Sequence, residues 1–411
     1  MASYHALPAR LLPHLPSAWR ALTYAELHRR AAEAPDKLWE AIWHATSPTY
    51  ERTYASARLG GQWFVGARLN AVAHLLAVTR EDEPVLQFRN ELLEAPLPFG
   101  RAELLGQVAS FAAYLRDQGI GVGDTVGLYL PAAPETLYAV YAAWSLGARV
   151  VYAGIRTAPE RAGAFFAAHP TKLLVVADGY RYAGKNVSHF AQLHPLAAGL
   201  PDLQRTVLLP YLDPQVRWNE LPGTVLWLHT FNAGATTVQP VALPFGQAAF
   251  EGIDSPTTYS QGGLLLSALK YLRLDLRLPV GTYGYWQGNN ESEHLLAALR
   301  AQLAGAVPLL YDGAPDYPNG YARWKTIKDG GVSVAQLSDA GEAMDLSSYQ
   351  PYGQLKQLLV GTASPSAWLP AQFPGVDIHH FAWDSKRGQL RQWRRGATPY
   401  IDDYRADSPV A

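Results

Sequence analysis

The sequence contains no cysteine, and this absence excludes several kinds of site at once. None of the 411 residues carries a thiol, so disulfide bonds, thiolate metal ligands and cysteine nucleophiles are all excluded. Without cysteine, the sequence does not indicate whether the protein resides in an oxidising or a reducing compartment. Methionine is almost missing as well, with two residues in the whole chain.

The sequence also lacks an excess of charge of either sign. Lys and Arg together number 34, and Asp and Glu together number 35. Because the two signs nearly cancel, no overall field would attract nucleic acid or an anionic membrane. We therefore expect neither a nucleic-acid partner nor a membrane partner.

Long hydrophobic runs are absent too. No apolar run reaches the roughly 18 residues that a membrane-spanning helix needs. The N-terminus lacks the charged-then-apolar order of a signal peptide, and Pro8, Pro13 and Pro16 interrupt any helix there. We therefore expect a cytoplasmic protein. The overall composition, 48% hydrophobic and 17% charged, is typical of a folded globular chain.

Helix and strand patterns alternate along much of the chain and predict a parallel sheet. Helical spacing at 101–118 is followed by glycines, a strand at 125–130, a helix at 134–146 and a strand at 150–153. Further apolar runs predict strands at 172–177, 206–209, 224–228, 307–311, 332–337 and 358–360. Nearer the N-terminus we expect one helix at 25–44, with Trp39 and Trp43 on its buried face.

Four stretches, in order along the chain, carry a family pattern. They read QWFVGARLN at 62–70, DGYRYAGK at 178–185, LYDGAPDYP at 310–318 and VGTASP at 360–365. They resemble the segments WFPGARLN, DGYRYNGK, LYDGSPAYP and VGSTGSP of the acetoacetyl-CoA synthetases, a family of adenylate-forming acyl-CoA synthetases. The resemblance covers about residues 20–385.

The resemblance implies the fold of that family's large N-terminal body, an α/β fold with layered parallel-sheet subdomains. We expect an N-terminal helical extension at 1–75, a first α/β subdomain at 76–220 and a second at 221–386. Residues 387–411 form a divergent tail that resembles nothing in the family. Because the family's C-terminal domain is not matched, the sequence is interpreted as truncated relative to the family. A shared fold does not by itself imply a shared activity.

The family holds the phosphates of ATP with a loop that reads roughly YSSGTTGLPK. The glycines of this loop let the backbone approach the phosphates, while its hydroxyl groups and lysine bind them. The corresponding segment here, HTFNAGATTVQP at 229–240, has Ala233 at the first glycine and Gln239 at the lysine. Shifting the alignment by one residue places Pro240 at the lysine position instead.

Neither alignment of this loop keeps the second glycine or any cation. One lost transition-state donor costs about 10²–10³ in rate, so several losses predict that the chain is unable to adenylate a carboxylate. Two interpretations of the segment remain: a turn between strands, or residual phosphate binding by Gly234, Thr236 and Thr237. We predict no cofactor and no metal.

A second nucleotide-binding segment has also changed. Where the family reads SGGTD, this chain reads FAWDSK at 381–386. The glycines that allow close approach to a nucleotide are replaced, and we predict that Trp383 fills the space where the nucleotide would lie.

The wall of the acyl pocket is the third altered segment. The family's apolar TTTGWMMWN corresponds to polar residues at 288–296, among them Glu291 and His294 near the start of a predicted helix. The two side chains are three residues apart and would share a face, as an acid/base or metal pair would. The alternative is a helix start capped by Asn290 or Ser292. His229, at the end of a predicted strand, is a third candidate catalytic residue.

Three functional hypotheses follow. The motif losses favour a catalytically degenerate protein that acts as a binding or scaffold protein, for a protein partner, for itself, or for an acyl or CoA-type small molecule. A second hypothesis is a repurposed enzyme acting on an acyl or CoA-derived substrate, with its polar pocket around Glu291, Glu293, His294 and His229. A third is an ATP-dependent acyl-CoA ligase that a separate chain completes with a C-terminal domain.

Overall fold

The structure is a computed structural model. It describes residues 8–216, 223–231, 234–255, 257–288, 290–338, 345–346, 354–361, 368–384, 389–395 and 398–399. Its helices are α1 (Tyr24–Glu33), α2 (Pro35–Thr46), α3 (Ala71–Val78), α4 (Arg101–Asp117), α5 (Pro134–Ser145), α6 (Pro159–Ala167), α7 (Phe190–Ala198), α8 (Gln261–Ala268), α9 (Glu291–Leu303), α10 (Ala322–Asp329) and α11 (Leu369–Gln372).

Its strands, most of them short, fall into larger and smaller sheets. They are β1 (Ser56–Leu59), β2 (Gln62–Val65), β3 (Arg68–Leu69), β4 (Pro84–Asn90), β5 (Leu97–Gly100), β6 (Thr125–Leu130), β7 (Arg149–Gly154), β8 (Thr171–Ala177), β9 (Gly179–Tyr182), β10 (Lys185–Ser188), β11 (Arg205–Leu209), β12 (Thr224–Leu226), β13 (Leu243–Pro244), β14 (Ala248–Gly252), β15 (Tyr259–Ser260), β16 (Tyr283–Trp286), β17 (Val307–Asp312), β18 (Val334–Leu337), β19 (Gln357–Gly361), β20 (Asp377–Asp384), β21 (Gln389–Arg395) and β22 (Thr398–Pro399).

Two large, mainly parallel sheets form the body. The described strands of the first sheet lie in the order β12-β11-β8-β6-β7-β14-β15, and those of the second in the order β22-β21-β20-β19-β18-β16-β17-β4-β5. Antiparallel pairs occur at the edges, between β14 and β15, between β4 and β5, and between β20, β21 and β22. The predicted α/β fold with layered parallel sheets is therefore confirmed.

The first sheet is buried on both faces at its centre. All six residues of β6 are buried, and so are six of the seven residues of β8, as the continuous apolar run at 172–177 predicts. Its register against β7 runs from Thr125 opposite Arg149 to Leu130 opposite Gly154. Most predicted strands fall within observed ones. The predicted strand at 224–228 ends at Leu226, because a 3-10 turn, Trp227–Thr230, begins there.

The two sheets do not correspond to consecutive halves of the chain. Strands β4 and β5 precede the first sheet in sequence but join the second sheet, whereas β14 and β15 follow residue 221 but join the first. The predicted boundaries at 76 and 220 therefore do not separate the strands of the two sheets. The described part of the tail at 387–411 adds strands β21 and β22 to the edge of the second sheet.

The helix predicted at 25–44 is two helices in the structure. α1 starts with a capping box in which Thr23 N–H donates to Glu26 at 2.8 Å. At Ala34 the backbone leaves the helical region (φ −138°, ψ 69°), and Pro35 opens α2, since the residue before a proline avoids the helical conformation. The prediction of a single helix was wrong, but Trp39 and Trp43 are both buried on one face of α2 as expected.

α9 lies between the two sheets and positions the site described below. It connects β16 to β17 in the second sheet and packs against β7 of the first. The approach is close, since a Cβ added at Gly154 would lie 2.3 Å from the Glu291 side chain, and one at Gly252 would lie 2.6 Å from Ser292. Among the described residues, no helix is long and apolar enough to cross a bilayer.

Candidate functional site

Parallel strands of both sheets end close to the N-terminus of α9. Gly154 ends β7, Asp312 ends β17, and Tyr211 follows β11 by two residues. The carboxyl ends of strands are where α/β sheets place their ligand sites. The residues gathered there, Arg156, Glu291, Asp312 and Tyr211, are called the strand-end cluster below.

Asn290 sets the start of α9 and so the position of Glu291. The Asn290 side chain accepts a hydrogen bond from Glu293 N–H at 2.9 Å and donates one to the Glu293 carboxylate at 3.0 Å. This is an N-cap. The capping interpretation of the segment is confirmed, with Asn290 rather than Ser292 as the capping residue.

Glu291, in the first turn of α9, is held by Arg156. The Arg156 Nε lies 3.2 Å from Glu291 Oε1, and the Arg156 backbone N–H donates to Glu291 Oε2 at 3.0 Å. Burial raises the pKa of Glu291 to about 7; Arg156 opposes that rise and Asp312 adds to it. The ion pair joins the first sheet to a helix of the second sheet, and the guanidinium group of Arg156 is engaged in it.

Asp312 is the second carboxyl group of the cluster with a raised pKa. It is buried and accepts a hydrogen bond from the Tyr211 hydroxyl at 2.6 Å. Burial raises the pKa of Asp312 to about 6, although the bond from Tyr211 and the charge of Arg156 work against the rise. The Tyr211 loop is fixed in turn by Asp178, whose carboxylate accepts backbone N–H bonds from residues 211, 212 and 213 at 2.7–2.8 Å.

Glu91 lies next to the cluster and links two of the family-like segments. Its carboxylate accepts backbone N–H bonds from Ala183 and Gly184 in the hairpin β9–β10, and from Ala314 after β17, at 2.7–2.8 Å. Arg181 Nε is 3.9 Å from it. The charge of Glu91 contributes to the raised pKa of Asp312. The surroundings of the cluster are therefore more acidic than basic.

His294 is one turn further along α9 but does not pair with Glu291. Its Nε2 atom is buried and has no hydrogen-bond partner among the residues that the structure describes. Burial lowers the pKa of His294 to about 4, and the charge of Arg156 adds to the effect. The imidazole is therefore neutral at pH 7. Among the described residues, the Glu291 carboxylate contacts Arg156, and His294 Nε2 makes no hydrogen bond to it.

A metal site at this pair was the other functional interpretation. Within the described part of the chain, no group of three or more His, Asp or Glu side chains is arranged to hold a metal ion.

His229 lies apart from the strand-end cluster. It is exposed on the 3-10 turn that follows β12. β12 is an edge strand of the first sheet and is four strand positions from β7, which corresponds to about 19 Å. Strand order therefore separates His229 from Glu291 and His294, which the sequence patterns grouped together.

The segment that corresponds to the phosphate loop is an exposed connection. Gly234, Thr236 and Thr237 are all exposed, and no Lys or Arg occurs at 234–242. The end of the segment is fixed by Val241, whose N–H donates to Ser145 O at 2.8 Å and whose carbonyl accepts from the Asn70 side chain at 2.9 Å.

Some of the sequence predictions lie outside the described residues. Asn232 and Ala233 and the stretch 362–367 are among them, as is the side chain of Trp383.

The sequence patterns do not single out Arg156 or Tyr211, and Asp312 stands only within a family-like segment. A usable signal was present: each lies at or within two residues of the end of a strand in a parallel sheet. Polar residues at that position are typical of ligand sites.

Three comparisons place the chain among known proteins. The AMP-binding enzyme family matches residues 99–242. Acetoacetyl-CoA synthetase of Mus musculus is 30% identical over 339 residues, which cover 76% of this chain and 49% of that protein. The corresponding protein of Xenopus tropicalis is 28% identical over 343 residues, covering 77% and 50%.

The structural match extends over nearly the whole chain. The structure of acetoacetyl-CoA synthetase from Streptomyces lividans superimposes with a TM-score of 0.83 at 26% identity, covering 98% of this chain and 67% of that one. The chain spans about half the length of the curated relatives that it matches. Residues 99–242 therefore match the AMP-binding enzyme family, and the chain is similar to the acetoacetyl-CoA synthetases in sequence and in fold.

Proposed function

We propose that this chain is a non-adenylating member of its family, and that it acts in the cytoplasm as a binding or scaffold protein. The observation that carries the proposal is the ion pair between Arg156 and Glu291 at 3.2 Å. The pair engages Arg156, which is the cation of the strand-end cluster. The exposed segment 234–242 contains no Lys or Arg that could replace it.

The chemistry of adenylation explains why this matters. A carboxylate must approach the α-phosphate of ATP, so two anions have to be brought together by cations and N–H groups that are in place beforehand. The strand-end cluster and its neighbour Glu91 hold three carboxyl groups, and the two nearby cations, Arg156 and Arg181, already lie beside two of them. Added anions would therefore meet further negative charge. Two like charges about 4 Å apart repel by roughly 4 kcal/mol at an effective dielectric constant near 20.

Ligand binding and pyrophosphate exchange test the proposal. Thermal unfolding of the full chain would be measured with Mg-ATP, AMP, CoA, acetoacetate and acetoacetyl-CoA in turn. A ligand at about 100 times its Kd raises the free energy of unfolding by roughly 2.7 kcal/mol. We expect no shift with Mg-ATP or AMP and no acetoacetate-dependent exchange of pyrophosphate into ATP. The Streptomyces lividans acetoacetyl-CoA synthetase serves as the positive control.

A shift with ATP or AMP, or measurable exchange, would refute the proposal and favour a ligase that a separate chain completes. If only acetoacetyl-CoA or CoA raises the unfolding temperature, the bound partner is a small molecule of acyl or CoA type. If none of them does, the partner is a protein or a second copy of this chain, and the oligomeric state is the next measurement.

One observation favours the second candidate function, a repurposed enzyme. The pKa values of Glu291 and Asp312 are raised to about 7 and about 6, and carboxyl groups that titrate near neutrality are suited to general acid/base catalysis. Turnover of acetoacetyl-CoA that is lost in both Glu291→Gln and Asp312→Asn would support this function, provided that both variants keep the wild-type unfolding temperature. Unchanged turnover in both variants would exclude it.

A further inference from the structure

A groove outside the strand-end cluster combines carboxylates, aromatic rings and an unpartnered hydroxyl group. It has a volume of about 240 Å³ and lies between α4, the first turns of α5 and the 3-10 turn Trp227–Thr230. Sites for drug-sized ligands measure roughly 300–1,000 Å³. The groove therefore suits a smaller molecule.

Two carboxylates reach the groove from two helices. Glu103 lies on α4 and Glu135 in the first turn of α5, and both line the groove. Burial raises the pKa of Glu135, and the charge of Glu103 adds to the rise. Neither carboxylate forms an ion pair with any residue that the structure describes. The groove therefore holds two carboxyl groups with no cationic partner among the described residues.

Tyr138 supplies an independent sign that a ligand is missing. Its side chain is 4% exposed and lines the same groove, one turn after Glu135 on α5. Its hydroxyl group has no hydrogen-bond partner in the described part of the chain. A buried polar group without a partner costs about 1–3 kcal/mol. A hydrogen-bonding ligand atom in the groove would remove that cost.

Aromatic rings form the apolar wall. The rings of Phe111 and Trp227 are 4.4 Å apart between centroids, and Phe99 and Phe231 complete the wall. No Lys or Arg is among the described lining residues. Aromatic faces beside carboxylates attract organic cations, because the negative face of a ring and the carboxylate act on the same charge.

We propose that this groove binds a small organic ammonium ion with an aromatic or aliphatic body. The ammonium N–H groups donate to the carboxylates of Glu103 and Glu135 and to the Tyr138 oxygen, while the body of the ligand rests on Phe111 and Trp227. The proposal is independent of the function proposed for the strand-end cluster, with which the groove shares no lining residue.

Three probes that share a phenylethyl group test the charge requirement on the full chain by titration calorimetry. They are 2-phenylethylammonium, the neutral 2-phenylethanol and the anionic 3-phenylpropionate. We expect the ammonium ion to bind at least tenfold more tightly than the alcohol and the anion not to bind. Equal binding of the ammonium ion and the alcohol, or no binding of the ammonium ion at millimolar concentration, would overturn the proposal.

Matched variants locate the site. Tyr138→Phe and Glu135→Gln should each weaken ammonium binding by about tenfold or more, since each removes a hydrogen bond to a charged group. Tyr114→Phe removes another buried hydroxyl group, outside the groove, that has no hydrogen-bond partner among the described residues. Glu160→Gln changes the equivalent first-turn residue of α6. Both controls should bind as the wild type does.

Because Glu103 is exposed, replacing it should not impair folding. Glu103→Gln should also weaken ammonium binding about tenfold, at an unchanged unfolding temperature. If all three groove variants bind the ammonium ion like the two controls, the site is not in this groove and the proposal fails.

Discussion

The guanidinium group of Arg156, two residues beyond a strand of the first sheet, lies 3.2 Å from the carboxylate of Glu291 in the first turn of α9. α9 connects two strands of the second sheet. The pair therefore joins the two sheets at the place where their strand ends meet. Four predictions concern this region and the elements that hold it.

Removing the cation of the pair should destabilise the protein more at high pH than at low pH. Arg156→Met leaves the buried Glu291 carboxylate with no guanidinium partner, and we expect a loss of about 1–3 kcal/mol in the free energy of unfolding at pH 8. At pH 5 the carboxyl group is protonated and the loss should be small. Urea unfolding at both pH values measures the difference.

The double variant Arg156→Met/Glu291→Gln is the control for this experiment. It removes the charge that Arg156→Met leaves unpaired and should recover most of the lost stability at pH 8. If the double variant is as unstable as the single variant, the loss comes from packing of the arginine side chain and not from the ion pair.

Glu291 and His294 should affect the pH dependence of stability in opposite directions. The folded-state pKa of Glu291 is raised to about 7. Between pH 4.5 and pH 7, Glu291 therefore binds more protons in the folded state than in the unfolded state. Stability from Glu291 is then lost as the pH rises from about 4.5 to about 7. The folded-state pKa of His294 is lowered to about 4, so stability from His294 is lost as the pH falls from about 6.5 to about 4.

The measurement is the free energy of unfolding against pH for two variants. Glu291→Gln should make the slope between pH 4.5 and 7 more positive than in the wild type, whereas His294→Gln should make the slope between pH 4 and 6.5 more negative. A slope that changes in the same direction for both variants would contradict the assignment of the two shifts.

The glycine that ends β7 should tolerate no side chain. A Cβ at Gly154 would lie 2.3 Å from the Glu291 side chain, so Gly154→Ala should destabilise the protein by about 1–3 kcal/mol. Gly163→Ala, inside α6, meets only Leu196 at 3.6 Å and should stabilise by up to about 1 kcal/mol. Urea unfolding distinguishes the two. Equal effects would show that α9 can move away from β7 without cost.

Asn70 should control the segment that corresponds to the phosphate loop. Its side chain caps α3 and donates to the carbonyl groups of Trp144 and Val241, each at 2.9 Å. Asn70→Ala should therefore cost about 2–3 kcal/mol and speed hydrogen exchange at the Val241 amide. Asn186→Ala, on the exposed strand β10, should change stability by less than about 0.5 kcal/mol. Unchanged exchange at Val241 would show that Asn70 does not hold the segment.

Much of the fold was open to prediction from local patterns. The apolar run at 172–177 predicted a strand buried on both faces because a strand at the centre of a parallel sheet contacts helices on either side. The short strand predicted at 125–130 was found as β6. The helix predicted at 134–146 was found as α5. The helix predicted at 25–44 is interrupted at Pro35, because the residue before a proline avoids the helical conformation.

The candidate site was less accessible to sequence reasoning. Asn290 and the helix start after it follow a local capping rule and were predicted among the alternatives. Three separate strands end at or just before Arg156, Asp312 and Tyr211. Only the order of the strands in the sheets brings these residues close together. For the same reason the sequence does not separate His229 from Glu291 and His294, because a residue at an edge strand and one beside the central strands look alike in sequence.

The sequence by itself determined the α/β class, the family resemblance and the missing cations of the loop segment, because each depends on residue types and spacing along the chain. Only the tertiary structure decided that Arg156 pairs with Glu291, that His294 is neutral, and that Glu103, Glu135 and Tyr138 line one groove. These depend on burial and on contacts between distant segments, and both the pKa of a carboxyl group and the partner of an arginine are set by those contacts.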